Sequence, residues 1–215
     1  MTFFDELQIK TQDAREALFA IPIIQNALQG RITKTQYLAF LKEAFHHDKH
    51  TVPLLKACEA KVSDEYTWLK EGMQHYIEDE TGHEEWILND IHHAGGNKEN
   101  IRQSSPHITT ELMVADAYYQ IYQSNPVGFL GMVFVLEGTS IAIATHAAEA
   151  MQKSLKLPEE AFTYLTSHGS LDLTHIEFFK TLVNQFTKKE DQLVVIDCAN
   201  KFYSLYGNIF KHLPM

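Results

Sequence analysis

Cysteine is scarce in this 215-residue chain. There are two, Cys58 and Cys198, far apart and in no Cys-x-x-Cys pair. Both fall in apolar helical patterns, so they read as buried free thiols rather than a reactive pair. Positive charge is also short: 18 Lys and Arg against 28 Asp and Glu, a net charge of −10. Such a balance offers no basic footprint for nucleic acid or an anionic membrane surface. Helix breakers are few, with 10 Gly and 6 Pro. Almost every segment therefore keeps a helical rather than an alternating periodicity. No apolar run is long: the richest, Val127 to Leu136, falls short of the roughly 20 residues a membrane span needs. The start, Met1-Thr2-Phe3-Phe4-Asp5-Glu6, lacks the charged beginning and apolar run of a signal peptide. The expectation is a cytoplasmic protein. No repeat or linker divides the chain, which reads as one domain over residues 1–215.

The patterns predict an all-α fold of seven to eight helices. The first runs from about Phe3 to Phe19, and a short one follows Pro22 and stops at Gly30. Thr33-Lys34-Thr35-Gln36 fits a capping box and starts a helix kinked at Pro53 and reaching Lys61. Another, capped at Ser63-Asp64-Glu65, reaches His92, and a loop extends to Pro106. Helices over Thr109–Gln123 and from Val127 to about Ser154 follow. The second of these is apolar on most sides at its start, which makes it the buried central helix. Pro158 suits the first position of the next, and the last covers Lys189 to Phe210.

Histidine is the anomaly, twelve in all and several clustered. Within Ser167-His168-Gly169-Ser170-Leu171-Asp172-Leu173-Thr174-His175, a helix puts His168, Asp172 and His175 on one face. Imidazole and carboxylate together suit iron, manganese or zinc. The competing reading has Asp172 capping a helix that starts at Leu173, since Gly169 and Ser170 weaken a helix there. Glu80-Thr81-Gly82-His83 is a Glu-x-x-His pair of the kind bundle proteins use for di-iron and di-manganese centres. Glu43-Ala44-Phe45-His46 has the same spacing, so the pair alone is weak. Glu137 follows an almost continuous apolar stretch, where a carboxylate is costly unless paired or metal-bound. Together these supply three histidines and three carboxylates from three helices. They divide as Glu80 or a near neighbour, His83 and His168 on one side, Asp172 and His175 on the other, with Glu137 bridging. Oxygen-rich sites of this kind favour iron or manganese over structural zinc. Tyr118, Tyr119 and Tyr122 are candidates for a substrate pocket.

His83, then Glu137, then His168-x-x-x-Asp172-x-x-His175 resembles the haem-oxygenase-like di-iron oxidases. The segment order from about Ile21 to Phe210 resembles their wider superfamily, which includes TenA, PqqC and CADD-like proteins. The resemblance implies a haem-oxygenase-like helical bundle. It also implies metal ligands at His83, Glu137, His168, Asp172 and His175, with a first glutamate at Glu80, Glu78 or Glu84. His47 or Asp48 is open as an addition. It further implies an O2-dependent oxidase or oxygenase with two irons, or manganese, acting on a fatty acid, amine or amino acid. A small molecule and a homodimer are the partners so implied. The alternative is a metal-free small-molecule-binding protein or a TenA/PqqC-like protein of cofactor metabolism. No family-like cysteine context supports a thiaminase, and the stretch up to Leu28 has no histidine for haem.

Overall fold

Capping chemistry sets where several helices begin. Thr2 accepts from the Asp5 amide while Asp5 accepts from the Thr2 amide, and Thr33 and Gln36 repeat the arrangement. Each pair satisfies amides that a first helical turn leaves without partners. The computed structural model describes residues 1–214, the side chain of Ser170 excepted. Among them are twelve α-helices and no strand: α1 (Phe3–Lys10), α2 (Gln12–Phe19), α3 (Pro22–Leu28), α4 (Lys34–Asp48), α5 (Thr51–Lys61), α6 (Thr67–Glu80), α7 (His83–His93), α8 (Lys98–Arg102), α9 (Ile108–Gln123), α10 (Phe129–Leu155), α11 (Thr163–Val183) and α12 (Lys189–Lys211).

The all-α class expected from sequence holds, but the helices are more numerous. The first divides at Thr11, whose hydroxyl donates to the Leu7 carbonyl at 2.7 Å. The second divides at Lys49–His50 rather than bending at Pro53. Pro53 lies in the first turn of α5, where its missing N–H is no loss. The third divides at Thr81–Gly82, where Gly82 takes φ +96°, a left-handed conformation that glycine reaches without strain. Ser63 caps a separate 3-10 turn, Asp64–Tyr66, and α8 interrupts the expected loop. Pro158 precedes a 3-10 turn, Glu159–Ala161, and α11 begins only at Thr163. Asp90 of α7 caps α11 from outside, accepting from the amides of Thr163 and Tyr164 at 3.1 and 2.8 Å.

α10 is the central helix, with α11, α12 and α3 packed along it. Its apolar character runs further than the Val127–Leu136 stretch suggests. With the turn before it, Pro126–Leu155 has an 18-residue window of mean hydropathy 1.9, long and apolar enough to cross a membrane. Within this fold 61% of that window is buried, as a core helix requires. Gly131 permits the close approach of α12, since a Cβ there would lie 2.5 Å from the Ala199 amide nitrogen.

The core falls into two apolar clusters separated by a polar layer. Phe129–Val135 of α10 contribute to one cluster and Ala144–Met151 to the other, with buried Glu137 and Thr139 between. α11 crosses in the opposite sense: Tyr164 and Leu165, then Asp172 and His175, then Phe179 and Leu182. Along α4–α5 the sequence is Leu41 and Phe45, then His46, His47 and Asp48, then Leu54 and Leu55. Along α6–α7 it is Met73 and Tyr76, then Glu80 and His83, then Ile87 and Leu88. Four segments thus carry their buried polar residues to one level.

Candidate metal centre

Glu80 ends α6 and His83 opens α7. The pair therefore does not share one helical face, as the sequence spacing suggests. The Gly82 turn nonetheless brings them together, with Glu80 Oε2 2.9 Å from His83 Nδ1. The same oxygen is 4.0 Å from His168 Nε2, and donor atoms of Glu80, His83 and His168 all lie within 4.8 Å of one another. Its other oxygen, Oε1, lies 3.7 Å from His175 Nδ1. That nitrogen is also 3.2 Å from Asp172 Oδ1. Glu80 is thus a carboxylate that reaches both groups.

α11 runs without interruption through Gly169, so Asp172 faces inward and caps nothing. Ser170 lies in this helix, but its side chain is outside the described residues. A Cβ on Gly169 would sit 2.1 Å from Thr145 Oγ1, so the glycine lets α11 approach α10 closely enough to present its face. His168 Nδ1 lies 3.0 Å from the Tyr164 carbonyl oxygen. A carbonyl only accepts, so Nδ1 carries the proton and Nε2 keeps its lone pair toward Glu80. Trp86 stacks on the His83 ring at 3.9 Å.

The charges explain what such a layer can hold. Glu137 is fully buried and its Oε2 has no hydrogen-bond partner. Burial, then the neighbouring Asp172 charge, hold its pKa well above the usual carboxylate range. Asp48 is shifted the same way by burial, then by Glu80, Glu84 and Asp172. For Glu80 burial is opposed by His83, His168 and His175, and the net shift is downward. His175 is raised: burial would depress it, but Asp172, Glu80 and Asp79 together outweigh that. His168 is lowered by burial, and His47 is lowered to about 3, again by burial. No Lys or Arg is among the described residues lining the adjoining cavity. Asp48, Glu80, Glu137 and Asp172 thus share one layer without a lysine or arginine, and the imidazoles beside Glu80 and Asp172 offset only part of their charge. Buried carboxylates in that state are costly unless a cation joins them. Imidazole nitrogens beside carboxylate oxygens are a donor set suited to iron or manganese, so the residues fit such ions.

All six residues singled out from the sequence lie in this layer or on the cavity wall. Glu78 is exposed, and Glu84 is half-buried and within electrostatic reach of Asp48. His47 and Asp48 both line the cavity. Sequence reasoning missed Asp79, 3.4 Å from His175 Nε2, and gave no part to Tyr76 or Tyr164. The expected pocket tyrosines are elsewhere: Tyr119 and Tyr122 are exposed on the outer side of α9, and Tyr118 meets His50 at 3.3 Å. Tyr37, Tyr76, Tyr164 and Tyr206 line the cavity instead. It has a volume of about 160 Å³ and is otherwise mainly apolar. Neither cysteine lines it; burial pushes Cys58 up to about 12 and Cys198 to about 11.

Comparison with known proteins agrees with the fold. The chain resembles a domain with a heme oxygenase-like fold from Shewanella denitrificans, with TM-score 0.88 and 24% identity over 98% of this chain and 91% of that one. A TenA homologue from Pseudomonas syringae gives TM-score 0.81 and 10% identity over 98% and 92%. A CADD-like protein from Nostoc punctiforme gives 0.74 and 15% over 97% and 96%. At these identities the likeness shows the fold. No curated protein matches the chain in sequence. The family model for iron-containing redox enzymes matches residues 38–207, a span that takes in every residue of the polar layer. The chain belongs to this haem-oxygenase-like family of iron-containing redox enzymes.

Proposed function

We propose that this protein is a non-haem di-iron, O2-dependent oxidase or oxygenase of a small organic substrate. The observation that carries the reading is the polar layer itself: buried imidazoles and carboxylates, with no lysine or arginine among the described cavity-lining residues, brought to one level by four helical segments. Glu80, His83 and His168 would hold one ion, Asp172 and His175 the second, with Glu80 or Glu137 between them. Iron bound there would supply the redox chemistry with O2. The chain's own contribution is positional. The Tyr164 carbonyl fixes the His168 tautomer, and Asp172 steadies the His175 ring. The apolar walls keep bulk water from the reacting end. A small molecule is the expected partner. A homodimer is proposed with it, since α9 leaves Ile108, Leu112, Tyr119 and Tyr122 exposed; size-exclusion chromatography measures it.

The test is anaerobic iron loading followed by metal analysis and O2-uptake measurements against fatty acids, amines and amino acids. Two irons per chain and substrate-stimulated uptake are expected, both lost in His168→Ala and His175→Ala. A chain that takes up neither iron nor manganese, with both variants unchanged, would sink the reading.

A further inference from the structure

The first turn of α11 is not capped by its own sequence. Phe162 stands at the cap position, where its ring stacks on Tyr37 and offers no acceptor. The acceptor comes from another helix. Asp90 of α7 receives both opening amides, Oδ1 from Thr163 at 3.1 Å and Oδ2 from Tyr164 at 2.8 Å. The Thr163 hydroxyl donates to Oδ1 as well. Asp90 is fully buried. Burial pushes its pKa up to about 6, against the lowering effect of those hydrogen bonds. What this costly carboxylate adds is a link between two helices that each carry residues of the polar layer. His83 and Asp90 both lie on the buried side of α7, two turns or about 10 Å apart along the helix. On α11, Tyr164 touches His168 twice: its carbonyl accepts from Nδ1 at 3.0 Å, and the two ring centres lie 4.5 Å apart. The His168 ring in turn meets the His83 ring at 4.9 Å. Asp90, Tyr164, His168 and His83 therefore close a circuit from α7 to α11 and back.

We propose that Asp90 is a positioning residue for the candidate metal centre. It grips the Thr163 and Tyr164 amides from the helix that carries His83, and so sets where the Tyr164 carbonyl stands. That carbonyl holds the His168 proton on Nδ1 and aims Nε2 toward Glu80. The step from a placed ring to a bound ion rests on the metal reading above; the step from Asp90 to the ring does not. An ionised carboxylate can accept from all three donors at once. An amide in its place presents one oxygen and one NH2 group, so Asp90→Asn sets a donor against a backbone donor. The first turn of α11 then has to shift, and the bond between His168 and Tyr164 shifts with it.

The test takes two readings on the full-length protein. One is the histidine tautomers of the metal-free protein, from long-range proton–nitrogen NMR spectra of isotope-labelled histidine at neutral pH, with His168 assigned through His168→Gln. The other is Mn(II) affinity, from titration followed by electron paramagnetic resonance. In the wild type His168 should show the Nδ1–H form. In Asp90→Asn that form should give way to Nε2–H or to a mixture, while the His175 pattern stays as it was. Mn(II) affinity should fall about tenfold, as for other outer partners of a ligand. Thr2→Ala, which removes the cap of α1, controls for lost stability: it should lower Tm and leave both readings unchanged. If Asp90→Asn does not fold, Thr163→Val, which removes the hydroxyl donor alone, should show the same changes at reduced size, several-fold in affinity. An unchanged His168 tautomer in the variant that folds would overturn the proposal. So would an unchanged affinity in a protein that binds Mn(II), or a Thr2→Ala variant that matches Asp90→Asn in both readings. Failure of the wild type to bind Mn(II) would count against the metal reading alone, and the tautomers would then decide the role of Asp90.

Discussion

At Glu137 stability and ion binding pull in opposite directions. Its carboxyl is buried, one oxygen is unpartnered, and its pKa is held up by burial and by Asp172. In the metal-free protein the folded state therefore prefers the proton, while the unfolded chain releases it near the usual carboxylate value. Stability contributed by that proton is complete below the unfolded value and is lost as pH rises toward the folded one. Glu137→Gln is permanently neutral and removes this slope. The variant should melt above the wild type at pH 8 without metal, by about 2–4 °C for each kcal/mol regained, and the two should converge near pH 4.5. Its affinity for Mn(II) should fall at least about tenfold. Calorimetric melts across pH and a metal titration check both halves. His47 works with the reverse sign. Its pKa falls from 6.5 to about 3 through burial, so between those values the unfolded chain binds the extra proton. Stability present above pH 6.5 is lost as pH falls through that window, by up to about 1.4 kcal/mol per pH unit. His47→Asn should flatten this acid limb in urea titrations run between pH 7 and pH 4.

Elements bring these residues to one level, and their meeting points are narrow. α11 lies so close to α10 at Gly169 that a methyl group would overlap the Thr145 hydroxyl. Gly169→Ala should cost about 1–3 kcal/mol through overpacking and weaken metal binding by displacing His168. Thr145→Ala should restore much of both, because residues in contact are not additive. A double-mutant cycle in denaturant, read with Mn(II) affinity, measures the coupling. The same contact marks how far the sequence was legible. Helical periodicity exposed the existence of nearly every helix and the inward face of His168, Asp172 and His175. It could not expose the Gly82 break, because an isolated glycine in a helical pattern is also tolerated within a helix. The Glu80–His83 pair therefore looked like a single-helix motif, although it is a turn that joins two helices. His47 and Asp48 entered only through the family resemblance, although the sequence carried its own signal: the apolar stripe of α4 stops at them and resumes in α5. Interruptions at matching depth in α6–α7, α10 and α11 would have pointed to the same layer. The tyrosines of α9 misled because composition does not say which side of a helix meets its neighbours.

At the scale of the whole molecule, two apolar cores close around a layer of like charge. Asp48, Glu80, Glu137 and Asp172 repel one another in a chain that already carries a net charge of −10. A divalent ion that binds only the folded state adds RT ln(1 + [ion]/Kd), about 2.7 kcal/mol at a hundredfold excess over Kd. For a chain of this length that corresponds to a rise in Tm of roughly 5–10 °C. Mn(II) should produce this rise and EDTA should reverse it. His175→Ala should lose at least half of it, because an ion on that side then has Asp172 without its neighbouring imidazole. The alternative cause is general screening of the acidic surface, which acts on every exposed carboxylate and depends on ionic strength rather than on donor chemistry. Mg(II) separates the two, since it shares the charge of Mn(II) but takes oxygen rather than imidazole ligands. Equal melting shifts with Mg(II), Mn(II) and sodium chloride at matched ionic strength would assign the effect to the surface. A shift confined to Mn(II) and Fe(II), and diminished in His175→Ala, assigns it to the polar layer, where imidazole and carboxylate face the ion together.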